Sequence, residues 1–235
     1  MSLHATLLIG SPRGPQSTSH ALGTYLLDRL KEKGMSVNKV FIQRSLISKG
    51  GIDTLLQALN EADIIILASP LYADSHHSGV IAAMELIRAR LSDKPRINRQ
   101  KMVAISNSGF PESSHNDLSL SISRRFAVEC GFEWAGGFAL GGGESIGGQP
   151  LEKAGRRVRN VRKSLELAAD ALANGEHPPE SAVALMAMPL VPRWLYLLIG
   201  NIGWRWKAKK QGCREELNNR PYGIPEKRNY PDTDT

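Results

Sequence analysis

Thr6-Leu7-Leu8-Ile9-Gly10 is a short apolar run that breaks into Ser11-Pro12-Arg13-Gly14-Pro15-Gln16-Ser17-Thr18-Ser19, and a helical pattern then begins at His20. Strand, hydroxyl-rich loop and helix, in that order, make the place where an α/β protein binds a phosphate. The first N–H groups of a helix have no partner inside it, and the helix dipole favours an anion there. Ser11, Ser17, Thr18 and Ser19 add hydroxyls, and Arg13 adds a charged fork. Hydroxyls at a helix start are also ordinary N-caps, so this loop alone leaves both readings open.

The pattern repeats outward from there. Ala21, Leu22, Tyr25, Leu26, Leu27 and Leu30 recur at helical spacing, and Gly34 stops the helix. Ser36 to Ile42 is β-branched and aromatic enough for a second strand. A loop with Gly50-Gly51 follows, then a short helix ending near Asn60. Ala62-Asp63-Ile64-Ile65-Ile66-Leu67-Ala68 is apolar without alternation, the mark of a strand buried on both faces in a parallel sheet. It runs into the loop Ser69-Pro70-Leu71-Tyr72-Ala73-Asp74, and a helix follows from about Ser78.

Lys101 to Ser106 reads as a fourth strand, ending in Asn107-Ser108-Gly109-Phe110-Pro111-Glu112. A helix starts at Asn116 or Ser119 and runs to Glu129. Phe132 to Leu140 is a fifth strand, closed by Gly141-Gly142-Gly143-Glu144, and a long basic helix is expected from about Leu151 to Asn174. Five βα units in succession predict a doubly wound, five-stranded parallel sheet of order 2-1-3-4-5. Ligands of such sheets lie outside the carboxyl ends of the strands, at the switch point between strands one and three. Three of the loops lie at such ends.

Composition is compatible with this reading. Of the 235 residues, 41% are hydrophobic and 23% charged, as in an ordinary globular chain. The two cysteines, Cys130 and Cys213, supply neither a disulfide framework nor a zinc spacing, so a reducing, cytoplasmic setting is expected. The apolar start is too short for a signal core. A net charge of +7 suits anionic partners. No repeat and no nucleic-acid motif stands out.

Gly10-Ser11-Pro12-Arg13 with Ser17-Thr18-Ser19, then Ala68-Ser69-Pro70-Leu71-Tyr72, then Asn107-Ser108-Gly109-Phe110, resembles the flavodoxin-like NAD(P)H-dependent FMN reductases over about residues 1–175. The chain is also similar to the flavodoxin domain of iron–sulfur flavoproteins. It lacks their cysteine cluster, since two cysteines cannot supply four ligands. The resemblance implies FMN as cofactor and NAD(P)H as co-substrate. By position it assigns Ser11, Arg13, Ser17, Thr18 and Ser19 to the FMN phosphate. Pro70, Leu71, Tyr72 and Ala73 fall beside the isoalloxazine ring. Asn107, Ser108, Gly109 and Phe110 fall at the ring's polar edge and ribityl chain.

Residue chemistry supports these roles: Leu71 and Tyr72 offer a flat face apolar surface, and Gly109 and Asn107 offer donors. Tyr72 also reads as a half-buried loop aromatic and Asn107 as a turn residue, and Glu112 reads as an exposed loop carboxylate. His76 and His77 could donate a proton to a reduced quinone, although a solvent-exposed pair is preferred. Cys130, at a helix end beside Gly131, reads as a small core residue. No side chain is assigned as catalytic, and no metal is expected.

From Pro178 the character changes, which sets a second segment at 176–235. Arg193 to Arg214 holds three of the four tryptophans, six basic residues and no acidic ones. Its apolar pieces are too short to span a bilayer. Two readings stand: a peripheral contact of 193–214 with an anionic membrane, or a helix packed on a second subunit or over the flavin. Packing is preferred, with a homodimer or tetramer. Similar tails ending near Arg220-Pro221-Tyr222 accompany the family, and Glu226 to Thr235 reads as a frayed end. The expected function is transfer of hydride from NAD(P)H through FMN to a quinone, nitroaromatic or free flavin. A flavodoxin-type electron carrier and a non-catalytic flavin-binding module are the alternatives. The carrier ranks lower because such carriers are usually acidic and this chain is basic.

Overall fold

The structure, a computed structural model, describes residues 3–91 and 100–219. The expected Arg220-Pro221-Tyr222 tail and the end from Glu226 lie outside the described residues. Six strands alternate with helices: β1 His4–Ile9, α1 Thr18–Glu32, β2 Ser36–Phe41, α2 Ile42–Ile47, α3 Gly51–Glu61, β3 Ile64–Tyr72, β4 Ser75–His76, α4 Ser78–Leu91, β5 Lys101–Asn107, α5 Asp117–Glu129 and β6 Glu133–Leu140. After them come α6 Arg159–Ala173, α7 Glu180–Ala187 and α8 Arg193–Lys210.

Five strands pair in parallel in the order β2-β1-β3-β5-β6, and β4 pairs antiparallel with the end of β3. This is the expected 2-1-3-4-5 order with one short hairpin strand interposed in the numbering. The chain crosses over between β1 and β3, where β1 lies between β2 and β3.

The unbroken apolar run of β3 is explained by its two faces. Ile64, Ile66 and Ala68 join α1, α6 and α7 in one core, with Leu22, Leu26, Leu165 and Met186. Ile65 and Leu67 join the opposite core, with Leu55 and Leu59 of α3, Val80 and Ile87 of α4, and Phe126 of α5. Successive side chains point to opposite faces, so both phases of the strand must be apolar. Cys130 closes the second core at the end of α5, a small buried side chain as its setting beside Gly131 predicts.

Three elements differ from the sequence expectation. α2 forms directly after β2, where a loop is expected. β3 runs on to Tyr72 instead of ending at Ala68, because Leu71 and Tyr72 pair with His76 and Ser75. The long helix from Leu151 begins only at Arg159, because Gly155 sits at φ 75, outside helical geometry. The first compact unit runs through Pro192, past the expected boundary at 175. α7 belongs to it: Ala182 and Met186 are fully buried in the core, and the Ser164 hydroxyl donates to the Ala182 carbonyl at 2.6 Å.

The second unit starts at Arg193 and is formed by α8 and a short 3-10 turn, Glu215–Asn218. Among the described residues no helix is long and apolar enough to cross a membrane.

Candidate functional site

A cavity of about 460 Å³ opens at the carboxyl ends of β1, β3 and β5, within the roughly 300–1,000 Å³ usual for a small-molecule site. Its lining draws on the loop after β1 (Ser11, Arg13, Ser17, Thr18 and Ser19), the end of β3 (Pro70, Leu71 and Tyr72) and the loop after β5 (Asn107, Ser108 and Gly109). The structure thus brings together all the sequence-predicted residues except Ala73 and Phe110. Ala73 occupies the hairpin turn, where it and Asp74 take positive φ values of 45 and 64. Phe110 packs against His115, with the rings tilted by 35° and their centroids 4.4 Å apart.

The first loop is organised by its own hydroxyls. Ser17 caps α1: its oxygen accepts from the His20 N–H at 3.1 Å, while its proton goes to the Gly14 carbonyl at 2.7 Å. Thr18 donates to the Gly143 carbonyl at 2.9 Å, and Ser19 donates to Asn107 Oδ1 at 2.7 Å. The N-cap reading and the anion-site reading of this loop are therefore compatible, with a division of labour. Two hydroxyl protons hold the loop to its neighbours, and that of Ser17 closes the loop on itself. What remains for an anion is the Ser11 hydroxyl, the exposed Arg13 guanidinium and the backbone N–H groups of Thr18 and Ser19 at the start of a 15-residue helix. Arg13 has no ion-pair partner among the described residues.

Two further residues line the cavity that the sequence reading did not select: Glu144 and Gly147. Glu144 follows the glycine run that ends β6, and its carboxyl would lie 3.7 Å from a Cβ placed on Gly109. The run is pinned by Gly148, at φ 72, where a Cβ would come within 2.2 Å of the Gln16 carbonyl oxygen. The backbone after β6 can touch the loop after β1 only because that position has no side chain. A third glycine after a strand was the available signal for this fourth wall.

The second wall is the β3–β4 hairpin, and behind it lies His76. The sequence reading prefers a solvent-exposed histidine pair; the structure corrects this. His76 is 5% exposed, with Nδ1 2.7 Å from Ser69 Oγ and Nε2 2.8 Å from both the Ser119 carbonyl and Ser123 Oγ. Burial holds its pKa down at about 4, so the ring is neutral at pH 7. His77 is half-buried, with Nδ1 3.1 Å from Gln43 Nε2 and its ring edge-on to Tyr72 at 5.2 Å.

From His76 a buried polar chain runs beneath the cavity. Ser119 Oγ lies 2.7 Å from Ser106 Oγ, which donates to Asn116 Oδ1 at 2.9 Å. Asn116 in turn donates to Ser108 Oγ at 3.3 Å and to the Leu140 carbonyl at 3.2 Å. Ser106, Asn116, Ser119 and Ser123 are all 0% exposed. Each buried polar group has a partner, as burial demands, and together they tie the β3 wall to the β5 wall. Serines on the inner face of α5 look in sequence like weak helix positions, which is why this support was not read.

No protein-family profile matches the sequence, and no curated protein matches it. Solved structures do resemble the fold. A flavone reductase superposes with a TM-score of 0.57 at 16% identity, covering 75% of this chain and 65% of that one. This chain thus spans just under two thirds of that reductase. An NADH:FMN oxidoreductase, EMOB in its apo form, gives a TM-score of 0.57 at 17% identity, covering 82% of this chain and 97% of the other. RosB, with its bound intermediate 8-demethyl-8-formylriboflavin-5'-phosphate, gives 0.56 at 14% identity and covers 100% of this chain and 95% of its own. Strand order, two-sided helix packing and these likenesses give the chain a flavodoxin-like fold.

Proposed function

We propose that this chain is an FMN-dependent NAD(P)H oxidoreductase. One observation carries the reading: the loops after β1, β3 and β5 converge on a single cavity whose walls differ in chemistry as a flavin nucleotide requires. The names of two fold neighbours, an NADH:FMN oxidoreductase and a protein with a bound riboflavin phosphate derivative, support it.

The residues fit FMN. Arg13, the Ser11 hydroxyl and the first N–H groups of α1 meet a phosphate with charge and donors. Leu71 and Tyr72 give a flat ring an apolar wall, and Tyr72 is 43% exposed at the mouth, where a second ring can approach. The Gly109 backbone and the Asn107 amide face the same space from β5. When bound, FMN supplies the hydride chemistry between NAD(P)H and an acceptor such as a quinone, nitroaromatic or free flavin. The protein's part is to hold the nucleotide, shield one face and leave the other open. The Ser19–Asn107 and Thr18–Gly143 hydrogen bonds keep the phosphate end and the ring end at a fixed separation.

The experiment is an absorption spectrum of the purified protein before and after anaerobic addition of NADH or NADPH. A flavin band that bleaches with either nucleotide is the expected result. A band that neither nucleotide bleaches assigns an electron carrier instead. Failure to bind FMN at all would remove the flavin assignment of all three loops.

A further inference from the structure

The exposed large apolar side chains of the first compact unit, such as Ile47, Leu118 and Val128, are scattered along the chain, whereas those of α8 are clustered. Trp194, Leu198, Ile199, Ile202, Trp204 and Trp206 are all exposed, the three tryptophans at 64–68%. Trp194, Leu198, Ile202 and Trp206 recur every four residues, and Ile199 lies beside them. At 3.6 residues per turn these five span about 140° of the circumference, and of the six only Trp204 lies outside that sector. A wide apolar face of this kind is what a helix lying in a membrane interface buries. So much clustered apolar surface marks an interaction site.

Along its length the helix is divided. Residues 194–202 carry no charge, and residues 204–210 read Trp-Arg-Trp-Lys-Ala-Lys-Lys. In that second half Lys207 Nζ lies over the Trp204 ring at 5.4 Å, and Lys210 Nζ over the Trp206 ring at 5.7 Å. Tryptophans interleaved with cations suit the boundary between lipid tails and headgroups. Charge selects the medium. Residues 193–214 hold six basic and no acidic side chains, and the whole chain carries +7. A second copy would bring like charge to this segment, while an anionic bilayer brings the opposite.

We propose that α8 is a membrane-surface anchor for bilayers with anionic headgroups. Its uncharged amino-terminal half enters one leaflet, and Trp204, Trp206 and the lysines lie among the headgroups. The helix does not span: it has 18 residues, four of its last six are basic, and it lies within the interface.

The test uses the full chain with vesicles of phosphatidylcholine alone or mixed with phosphatidylglycerol. Three of the four tryptophans are in α8 and the fourth, Trp134, is in β6, so tryptophan emission reports on this helix. The expected result is flotation with the anionic vesicles and a blue shift of emission. Binding to neutral vesicles should be at least about tenfold weaker, and salt should weaken the anionic binding. A triple variant, Lys207→Glu, Lys209→Glu and Lys210→Glu, is expected to lose at least about 100-fold in partitioning, with its thermal midpoint unchanged. Absence of binding to anionic vesicles overturns the proposal, as does undiminished binding of the triple variant. A discrete oligomer in light scattering that Leu198→Asp dissociates, without vesicle binding, assigns the helix to a second copy and also overturns it.

Discussion

The middle of the sheet and its carboxyl edge are built from different residues, although they belong to the same strands. In the middle, Ile64 to Ala68 and Met102 to Ile105 are buried and apolar on both faces. At the edge the next residues are Ser69, Ser106 and Asn107, equally buried but polar. The change happens within one peptide unit, between Ala68 and Ser69 on β3. Apolar burial is strong and non-directional, so it holds the sheet together without fixing angles. Hydrogen bonds add little net stability but are directional and expensive to leave unmade. The molecule thus separates cohesion, in the middle, from geometry, at the edge where the cavity opens.

Substitutions at the two places should fail differently. Phe138, fully buried in the core of β6, is the strongest probe of the middle. Phe138→Ala is expected to cost about 3–5 kcal/mol in urea unfolding, with an unaltered bound-flavin spectrum in whatever fraction remains folded. A loss under about 1 kcal/mol would mean that the middle is not where cohesion resides.

The edge can be probed by pH through His76. The unfolded ring has its ordinary pKa of 6.5, and burial lowers the folded value to about 4. Between these values the unfolded chain binds more protons, so stability rises with pH across that window. This contribution is complete above pH 6.5 and is lost as pH falls towards 4, up to about 3 kcal/mol. Urea midpoints at pH 7, 5.5 and 4.5 should fall more steeply in the wild type than in His76→Gln. Parallel curves would show that the ring is not held neutral at the edge.

Tyr72 gives the smallest effect and the cleanest separation. It is half in solvent at the end of the hairpin, so Tyr72→Ala should change stability by less than about 0.5 kcal/mol. FMN affinity, read by fluorescence titration, should fall by about three- to tenfold, the loss of one aromatic face. Unchanged affinity would remove Tyr72 from the flavin wall.

The two regions were also unequally legible in the sequence. The middle was plain: β1, β3, β5 and β6 announce themselves as apolar runs, and alternation with helices sets the strand order. The edge was legible only in its backbone landmarks. Ser11 to Ser19, Pro70 to Tyr72 and Asn107 to Gly109 were recognisable as loop residues after strands. Their supports were not, because support depends on contacts between residues far apart in sequence. His76 sits in a two-residue strand, too short to show any period, after a turn whose left-handed residues are Ala73 and Asp74 in place of the usual glycine. Asn116 directly precedes α5, and Ser119 and Ser123 belong to it, a helix whose moderate apolar face gives no hint that its serines are buried. Gly155 broke a helix whose apolar spacing continues across it, so spacing alone placed the start of α6 too early.

The hydrogen bond from Thr18 to Gly143 joins residues 125 positions apart. In a chain made from its amino terminus, the loop after β1 emerges early and then waits for the cavity's last wall until the segment after β6 has been synthesised. Distant closures of this kind slow folding, because the intervening chain must first be ordered. The cavity is thus among the last features that a nascent chain completes. A product truncated before Gly143 would retain the loop after β1 and most of the sheet but lack the finished pocket, so flavin retention would report that synthesis had run past this point.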